Sequence, residues 1–147
     1  MLIRSATRAD SRGIIDLWDG AGMLAYTPDP QGDLDAVLAH DADLLLVAED
    51  GGALLGTVTG TWDGRRGWLM RLAVAPPTRG RGLGRALCEE LERRLVARGA
   101  AQVNLFVFGG NADALAFWDR QGYARSLPVE LLSKRLGRQD AARPSSC

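Results

Sequence analysis

A run of arginines and glycines in the middle of the chain has the residue types of a site that binds phosphate groups. It follows an apolar segment, opens an amphipathic helix and consists of Arg79, Gly80, Arg81, Gly82, Leu83, Gly84 and Arg85. The N-terminus of a helix presents unpaired backbone N–H groups and about half a positive charge, which suits phosphate oxygens. Glycine lets the backbone approach an anion closely because it has no Cβ, and the arginines add positive charge. The run therefore predicts an anion-binding turn.

Two common phosphate-binding patterns do not fit this run. The Walker pattern, Gly-x-x-x-x-Gly-Lys-Ser/Thr, occurs nowhere in the sequence. The dinucleotide pattern fails because Arg85 stands where its third glycine would fall. What remains is Arg79-x-x-Gly82-x-Gly84, and the alternative interpretation is a glycine-rich helix entry with solvated arginines.

The elements that position this run are predicted by hydrophobic periodicity and by turn residues. A capping box at Thr7-x-x-Asp10 starts the first helix near Arg8, and Leu34–Ala39 forms a second. The remaining predicted elements are strands Leu2–Arg4, Leu44–Ala48, Leu54–Val58, Trp68–Val74, Val103–Val107 and Val129–Leu132, a helix over 83–98, and a helix capped by Asn111 that ends at Arg120. The order β-α-α-β-β-β-α-β-α-β predicts an α+β fold with an antiparallel middle.

Length and composition limit the classes of protein. The 147 residues suit one domain, predicted over residues 1–137 with a disordered C-terminal tail at 138–147. Eighteen basic residues balance eighteen acidic ones, so we expect no nucleic-acid partner. No apolar run approaches the roughly 20 residues of a membrane span, and Cys88 and Cys147 form no disulfide framework or metal pattern. We expect a cytoplasmic protein with no metal and no membrane partner.

A second pattern in the sequence carries a family resemblance. The segment Leu72–Pro77 leads into Arg79-x-x-Gly82-x-Gly84, and a later motif consists of Asn111, Ala114, Phe117, Trp118, Gly122 and Tyr123. Together with the element order, these residues resemble the GNAT superfamily of acetyl-CoA-dependent N-acetyltransferases over roughly residues 2–136. The resemblance implies a mixed, largely antiparallel sheet with helices on both faces.

The resemblance also implies where acetyl-CoA binds. The pantetheine arm would lie beside Leu72, Ala73 and Val74 as an added strand, and the backbone amides of Gly80–Arg85 would hold the pyrophosphate. The asparagine that matches Asn111 contacts the pantetheine or acetyl region in such proteins, and an N-cap role is compatible with this. Trp118 joins the predicted cofactor-binding residues.

The predicted catalytic residues depart from the family pattern. Trp118 occupies the place where many GNAT enzymes carry a tyrosine that protonates the leaving thiolate, and an indole has no useful acidity. Tyr123 and Tyr26 are the candidate substitutes, with water as the alternative donor. Arg71 stands where some relatives have a glutamate base.

The resemblance therefore implies direct transfer of an acetyl group from acetyl-CoA to an amine. Small amines, amino acids and protein N-termini all remain open as acceptors, and pairing of relatives through C-terminal strands suggests a homodimer. The alternative function is a non-catalytic acyl-CoA-binding or regulatory module, which Trp118 and the missing carboxylate would suit.

Overall fold

The computed structural model describes residues 1–137, so the predicted tail at 138–147 lies outside the described residues. Five strands and four α-helices follow the predicted order as far as the last helix. They are β1 (Leu2–Ser5), α1 (Ser11–Gly20), α2 (Pro30–Asp41), β2 (Leu45–Asp50), β3 (Ala53–Trp62), β4 (Gly67–Val74), α3 (Leu83–Arg98), β5 (Val103–Asn104) and α4 (Ala112–Arg120). Short 3-10 turns at Arg8–Asp10, Met23–Tyr26, Ala42–Leu44 and Pro76–Thr78 join several of them. Within residues 1–137, no helix combines the length and the hydropathy required to cross a membrane.

The strands form one sheet in the order β1-β2-β3-β4-β5. Neighbours from β1 to β4 are antiparallel, and β5 runs parallel to β4. A parallel neighbour requires a crossover connection, and α3 provides it. The predicted α+β architecture is therefore confirmed, with a mixed sheet that is largely antiparallel.

Helices cover both faces of this sheet, and each face has its own core. The first core joins α3 to one face through Leu87, Leu91 and Leu95, all of them fully buried. The second joins α1 and α2 to the other face through buried residues that include Ile14, Trp18, Leu34, Val47 and Ala73. Because the two cores lie on opposite faces of the sheet, side chains of β4 can contact α3 on one face or α1 and α2 on the other.

Glycines let α3 approach the sheet closely. A Cβ added at Gly60 would lie 2.5 Å from Cδ1 of Leu91, and one at Gly67 would lie 2.9 Å from Cδ1 of Leu95. Side chains at these positions would push the helix away from the strands. The helix that starts at the predicted anion-binding turn therefore packs closely against the sheet.

Two predicted strands differ from the structure. The strand predicted over Val129–Leu132 is wrong, because residues 124–136 form no regular element and Leu132 is 89 % exposed. Alternating apolar residues indicate a strand only where a neighbouring strand and a covering layer are available, and this segment has neither in the described residues. The strand predicted over Val103–Val107 is shortened to Val103–Asn104, since its pairing with β4 stops there.

Candidate functional site

The candidate site begins where β5 separates from β4. Pairing between the two strands is limited to Gly67 with Val103 and Trp68 with Asn104. Beyond Trp68, the β5-facing edge of β4 has no strand partner within residues 1–137. An unpaired strand edge can accept an extended ligand as an additional strand. The predicted pantetheine-binding residues Leu72, Ala73 and Val74 lie along this open edge.

A β-bulge interrupts β4 opposite the same opening. Thr57 pairs with Ala73 and Thr59 pairs with Met70. Between these two pairs the chain advances by three residues along β4 but by only two along β3. Arg71 lies in the bulge with φ of 53°, the only positive φ at a non-glycine residue in the described chain. A left-handed conformation at a residue with a Cβ costs about 1–3 kcal/mol and persists only where surrounding contacts hold it.

The predicted anion-binding turn follows β4 after the 3-10 turn at Pro76–Thr78. Gly80 and Gly82 both have φ of 80°, and a Cβ added at either would meet nothing within 4 Å. The first helical hydrogen bond of α3 runs from the amide of Ala86 to the carbonyl of Gly82, at 3.0 Å. The preceding amides belong to the first turn, whose N–H groups have no intrahelical acceptor. The glycine backbone and the start of α3 therefore form an open cradle, and free amides at a helix N-terminus are groups that can hold an anion.

Side chains around this turn stabilise its shape. Arg79 donates from Nε to the carbonyl oxygen of Val74 at 3.1 Å, which ties the turn to the end of β4. Arg81 is exposed, and Arg85 donates to Glu89 at 2.8 Å. Leu83 is buried in the first core, so its contribution to a bound anion is limited to its backbone.

The helix α4 packs against the start of α3 through Phe117. Asn111 caps this helix by accepting a hydrogen bond from the amide of Ala114 at 3.0 Å, which confirms the predicted N-cap. The ring of Phe117 packs beside Gly84 and Leu72: a Cβ added at Gly84 would lie 3.4 Å from Cζ of Phe117 and 3.6 Å from Cδ2 of Leu72. Sequence reasoning treated Phe117 only as part of a motif, and its contact with the turn depends on how α4 packs.

Trp118, at the position where the family motif has a tyrosine, packs between two other aromatic rings. Trp118 packs partly buried against the first core, with its ring centroid 4.9 Å from that of Phe117 and 5.4 Å from that of Tyr123. The indole is therefore held by edge-to-face contacts on both sides.

The hydroxyl of Tyr123 is directed away from the turn. It donates a hydrogen bond of 2.7 Å to Oε2 of Glu92, which lies nine residues beyond the start of α3 at Leu83. At about 1.5 Å per residue, this places Glu92 roughly 13 Å along the helix. Burial, the hydrogen bond to Glu92 and the negative charge of Glu92 raise the pKa of Tyr123 far above its usual value. These facts argue against Tyr123 as the acid that protonates a leaving thiolate.

The second candidate, Tyr26, lies on the opposite face of the sheet, after α1. Its ring centroid is 5.7 Å from that of Phe108, which belongs to the segment between β5 and α4. Trp68 and Phe106 form a second pair, which is stacked with centroids 5.5 Å apart. Each pair therefore includes one ring from the segment between β5 and α4. The sequence did not predict these pairs, although Phe106 and Phe108 alternate as two residues on one face of a strand would.

Arg71 is a further residue whose role in the site was missed. It was noted only as standing in place of a glutamate, whereas in the structure its side chain is 7 % exposed and bonds to Asp33 and Thr27. A lone arginine in an apolar strand signals such a role, because a buried guanidinium requires partners.

A cysteine nucleophile and a bound metal ion are two further kinds of chemistry that a site of this size could use. Cys88 is buried, and desolvation with the nearby charges of Glu92 and Glu89 raises the pKa of its thiol to about 12. A thiol with that pKa is a poor nucleophile near neutral pH. Residues 1–137 contain no cluster of three or more His, Cys, Asp or Glu side chains that could bind a metal ion.

Known proteins resemble this chain in sequence and in fold. The sequence profile of the acetyltransferase (GNAT) family matches residues 12–123. An acetyltransferase of Sodalis glossinidius is 40 % identical over 136 residues, covering 92 % of this chain and 96 % of that protein. Among solved structures, AAC(6')-Iy in complex with the bisubstrate analogue CoA-S-monomethyl-acetylneamine has a TM-score of 0.74 at 18 % identity, covering 92 % of this chain and 98 % of that one. The Escherichia coli ribosomal-protein-S18-alanine N-acetyltransferase has a TM-score of 0.69 at 22 % identity, covering 86 % of this chain and 79 % of that one.

Proposed function

The chain belongs to the acetyltransferase (GNAT) family and is an acyltransferase, and we propose that it transfers the acetyl group of acetyl-CoA to an amine by direct attack. The observation that carries this proposal is the open edge of β4 beside β5, which leads directly to the turn at Gly80 and Gly82. One extended ligand with an anionic end fits both features at once. Acetyl-CoA has that form, with its pantetheine arm and its pyrophosphate.

The proposed cofactor-binding residues follow the open edge from the thioester to the phosphates. The pantetheine arm would pair with the backbone of Leu72, Ala73 and Val74, and the amides of Gly80–Arg85 would hold the pyrophosphate. Arg79 and Arg81 add positive charge beside the turn. Asn111 and Trp118 belong to the same proposed site through α4, where Asn111 fixes the start of the helix and Trp118 packs its inner face.

The proposed acceptor site lies on the other side of the opening. Tyr26 belongs to the turn after α1, whose residues Met23 and Leu24 pack in the core on the face opposite to α3, and the ring of Phe108 contacts that of Tyr26. An amine that approaches from this face would reach the thioester without displacing the pantetheine arm. We call residues 23–33, which connect α1 to the first turn of α2, the acceptor segment.

In the proposed reaction, acetyl-CoA supplies an activated carbonyl, and this chain orients the reactants and stabilises the charge that develops. Backbone amides beside the β4 bulge would donate to the carbonyl oxygen as it becomes negative. The amine nitrogen forms a bond to the carbonyl carbon, the C–S bond breaks, and the nitrogen loses a proton to water. Since the hydroxyl of Tyr123 is bonded to Glu92, we assign protonation of the departing sulfur to water, with Tyr26 as the side-chain alternative.

A ligand-binding measurement and a transfer assay together test this function. Acetyl-CoA at about 100 times its dissociation constant should stabilise the native state by about 2.7 kcal/mol and raise Tm, whereas NAD at the same concentration should not. Thiol release should then be measured with benzylamine, spermidine, kanamycin and an alanine-initiated tetrapeptide. No change of Tm at millimolar acetyl-CoA contradicts the cofactor assignment. Binding without transfer to any amine would favour the non-catalytic alternative.

A further inference from the structure

The bulge residue Arg71 connects the strand that would hold the thioester to the segment that would hold the amine. Its Nη2 atom donates to Oγ1 of Thr27 at 3.0 Å and to Oδ2 of Asp33 at 3.1 Å. Its Cζ atom lies 4.5 Å from the centroid of the Trp18 ring, which is itself buried. One guanidinium thus contacts α1, the acceptor segment and the first turn of α2.

The partners of Arg71 make this connection stiff. The hydroxyl of Thr27 accepts from Arg71 and donates to the carbonyl oxygen of Met23 at 2.9 Å, so the contact continues through the turn at Met23–Tyr26. A planar guanidinium stacked on an aromatic face and bonded to a carboxylate has few alternative orientations. Burial further strengthens these contacts, because little water competes for them.

The backbone conformation at residue 71 depends on the same contacts. Glycine would adopt φ of 53° at little cost, whereas arginine is strained there. The side chain of Arg71 lies towards Trp18 rather than towards α3, which places the bulge in a fixed orientation beside the opening. The contacts that stabilise the acceptor segment therefore also stabilise the bulge.

We propose that Arg71 is a positioning residue that holds the acceptor segment in a fixed relation to the β4 bulge, so that the attacking amine meets the thioester carbonyl in line. This inference rests on the proposed function, since it assigns the two sides of the opening to the two reactants. Misplacing reacting atoms by about 1 Å can reduce a rate roughly 10²-fold without loss of binding. Arg71 would act through this alignment and would not itself touch the reacting atoms.

The variant Arg71→Gly separates the two roles of the residue. Glycine accepts the left-handed backbone of the bulge, so the change removes the guanidinium while leaving the bulge conformation available. We expect the dissociation constant of acetyl-CoA and its KM to match those of the wild type, while kcat with the best acceptor of the panel falls about 10²-fold. The variant Asp33→Ala removes a partner of Arg71 without altering β4 and should change kcat in the same direction.

A matched control separates positioning from loss of stability. Arg4 is also a partly buried strand arginine, paired with Asp10 at 2.8 Å and Glu49 at 3.0 Å, but it lies at the opposite edge of the sheet. The variant Arg4→Gly should lower Tm while leaving kcat and the acceptor KM unchanged. The positioning role is wrong if the kcat of Arg71→Gly and of Asp33→Ala equals that of Arg4→Gly. It is also wrong if the only change in these two variants is a lower affinity for acetyl-CoA.

Hydrogen exchange provides a test that needs no acceptor. Amides of residues 23–33 should exchange faster in Arg71→Gly than in the wild type or in Arg4→Gly, with CoA bound in all three proteins. Equal exchange in the three proteins would overturn the proposal. If the wild type binds no CoA, the proposed function fails, and exchange in the free proteins still reports whether Arg71 connects the two segments. If CoA binds but no amine is acetylated, the exchange comparison decides alone.

Discussion

Two aromatic residues of the later motif, Trp118 and Tyr123, bear on which group can protonate the leaving thiolate at the candidate site. Trp118 has no acidic proton, and the hydroxyl of Tyr123 is bonded to Glu92 at 2.7 Å. Burial raises the pKa of Tyr123, so its phenol keeps the proton at the pH values where transferases are assayed. Neither Trp118 nor Tyr123 therefore suits the role of general acid, so the leaving thiolate needs a proton from water or from a residue of the acceptor side.

The change Tyr123→Phe tests the contact with Glu92. We expect kcat near neutral pH to change less than about tenfold, because a general acid would contribute 10²-fold or more. The raised pKa also predicts that phenolate absorbance between about pH 9 and 11 is the same in the wild type and in Tyr123→Phe. A decrease in kcat of about 10²-fold in a folded variant that binds CoA would identify Tyr123 as the acid after all.

The changes Trp118→Phe and Trp118→Tyr test the position where the family motif has a tyrosine. Phenylalanine preserves an aromatic ring between Phe117 and Tyr123, so kcat should change only modestly through packing. Tyrosine adds a hydroxyl with an ordinary pKa of about 10, and it should be tolerated or raise kcat. The profile of kcat against pH should then gain an alkaline limb that the wild type lacks. A loss of about 10³-fold in Trp118→Phe would show that the indole itself positions a reactant.

At the scale of elements, the candidate site consists of the end of β4, the start of α3 and the part of α4 that carries Phe117. The glycines of β3 and β4 bring α3 close to the sheet, and Phe117 fixes α4 against the turn at Gly84. The turn itself has left-handed glycines at 80 and 82 with open space around them. This arrangement leaves the amides at the start of α3 accessible while the helix behind them packs closely against the sheet.

The change Gly82→Glu tests the turn. A carboxylate in the open space beside the helix N-terminus would occupy and repel the proposed phosphate site, so the affinity for acetyl-CoA should fall at least about 10²-fold, or about 2.7 kcal/mol. Titration of CoA by calorimetry measures this change.

The control for this variant is Gly64→Glu in the β3–β4 hairpin. Gly64 also has a positive φ, of 89°, and a Cβ added there would likewise meet nothing within 4 Å. Both variants introduce the same side chain into a strained backbone, so their Tm values should decrease by similar amounts. If both keep wild-type affinity for CoA, the phosphates bind elsewhere.

At the scale of the whole molecule, stability in acid depends on carboxylates that are paired in the folded state. Asp10 is 8 % exposed and accepts hydrogen bonds from both terminal nitrogens of Arg4, at 2.8 and 2.9 Å, and from the amide of Thr7 at 2.8 Å. The bonds from Arg4 hold the pKa of Asp10 below its ordinary value of 3.8, although burial alone would raise it. Asp41 has a lowered pKa for the same reason, because it is paired with Arg98 at 2.7 Å.

The lowered pKa of Asp10 fixes the sign of its effect on stability. The unfolded carboxyl binds a proton first as the pH falls below 3.8, so the stabilisation is present above that value and is lost as the pH falls through the lower folded pKa. The change Asp10→Asn should therefore reduce the free energy of unfolding by about 1.5–3 kcal/mol near pH 7 and by less at about pH 2.5. Urea denaturation at the two pH values measures the difference. The exposed control Asp16→Asn should change little at either pH, and a pH-independent loss in Asp10→Asn would contradict the pairing.

The sequence by itself predicted the order of the elements up to α4 and the glycine turn that precedes α3. These features depend on neighbours in the chain: the repeat of Leu83, Leu87 and Leu91 gives one apolar helix face, and glycines at 80 and 82 allow left-handed turns. The N-cap of α4 could be predicted for the same reason, since the side chain of Asn111 accepts a hydrogen bond from an amide only three residues away. Local backbone preferences and hydrogen bonds between nearby residues can be predicted without knowing the rest of the fold.

Only the tertiary structure decided which side chains meet at the site. Tyr123 bonds to Glu92 across 31 residues and Arg71 bonds to Asp33 across 38, so neither partner can be inferred from spacing along the chain. The end of β5 at Asn104, the bulge at Arg71 and the missing strand at Val129–Leu132 depend likewise on register between segments. A strand pattern records which side chains alternate, but hydrogen bonding to a neighbouring strand decides where pairing starts and stops.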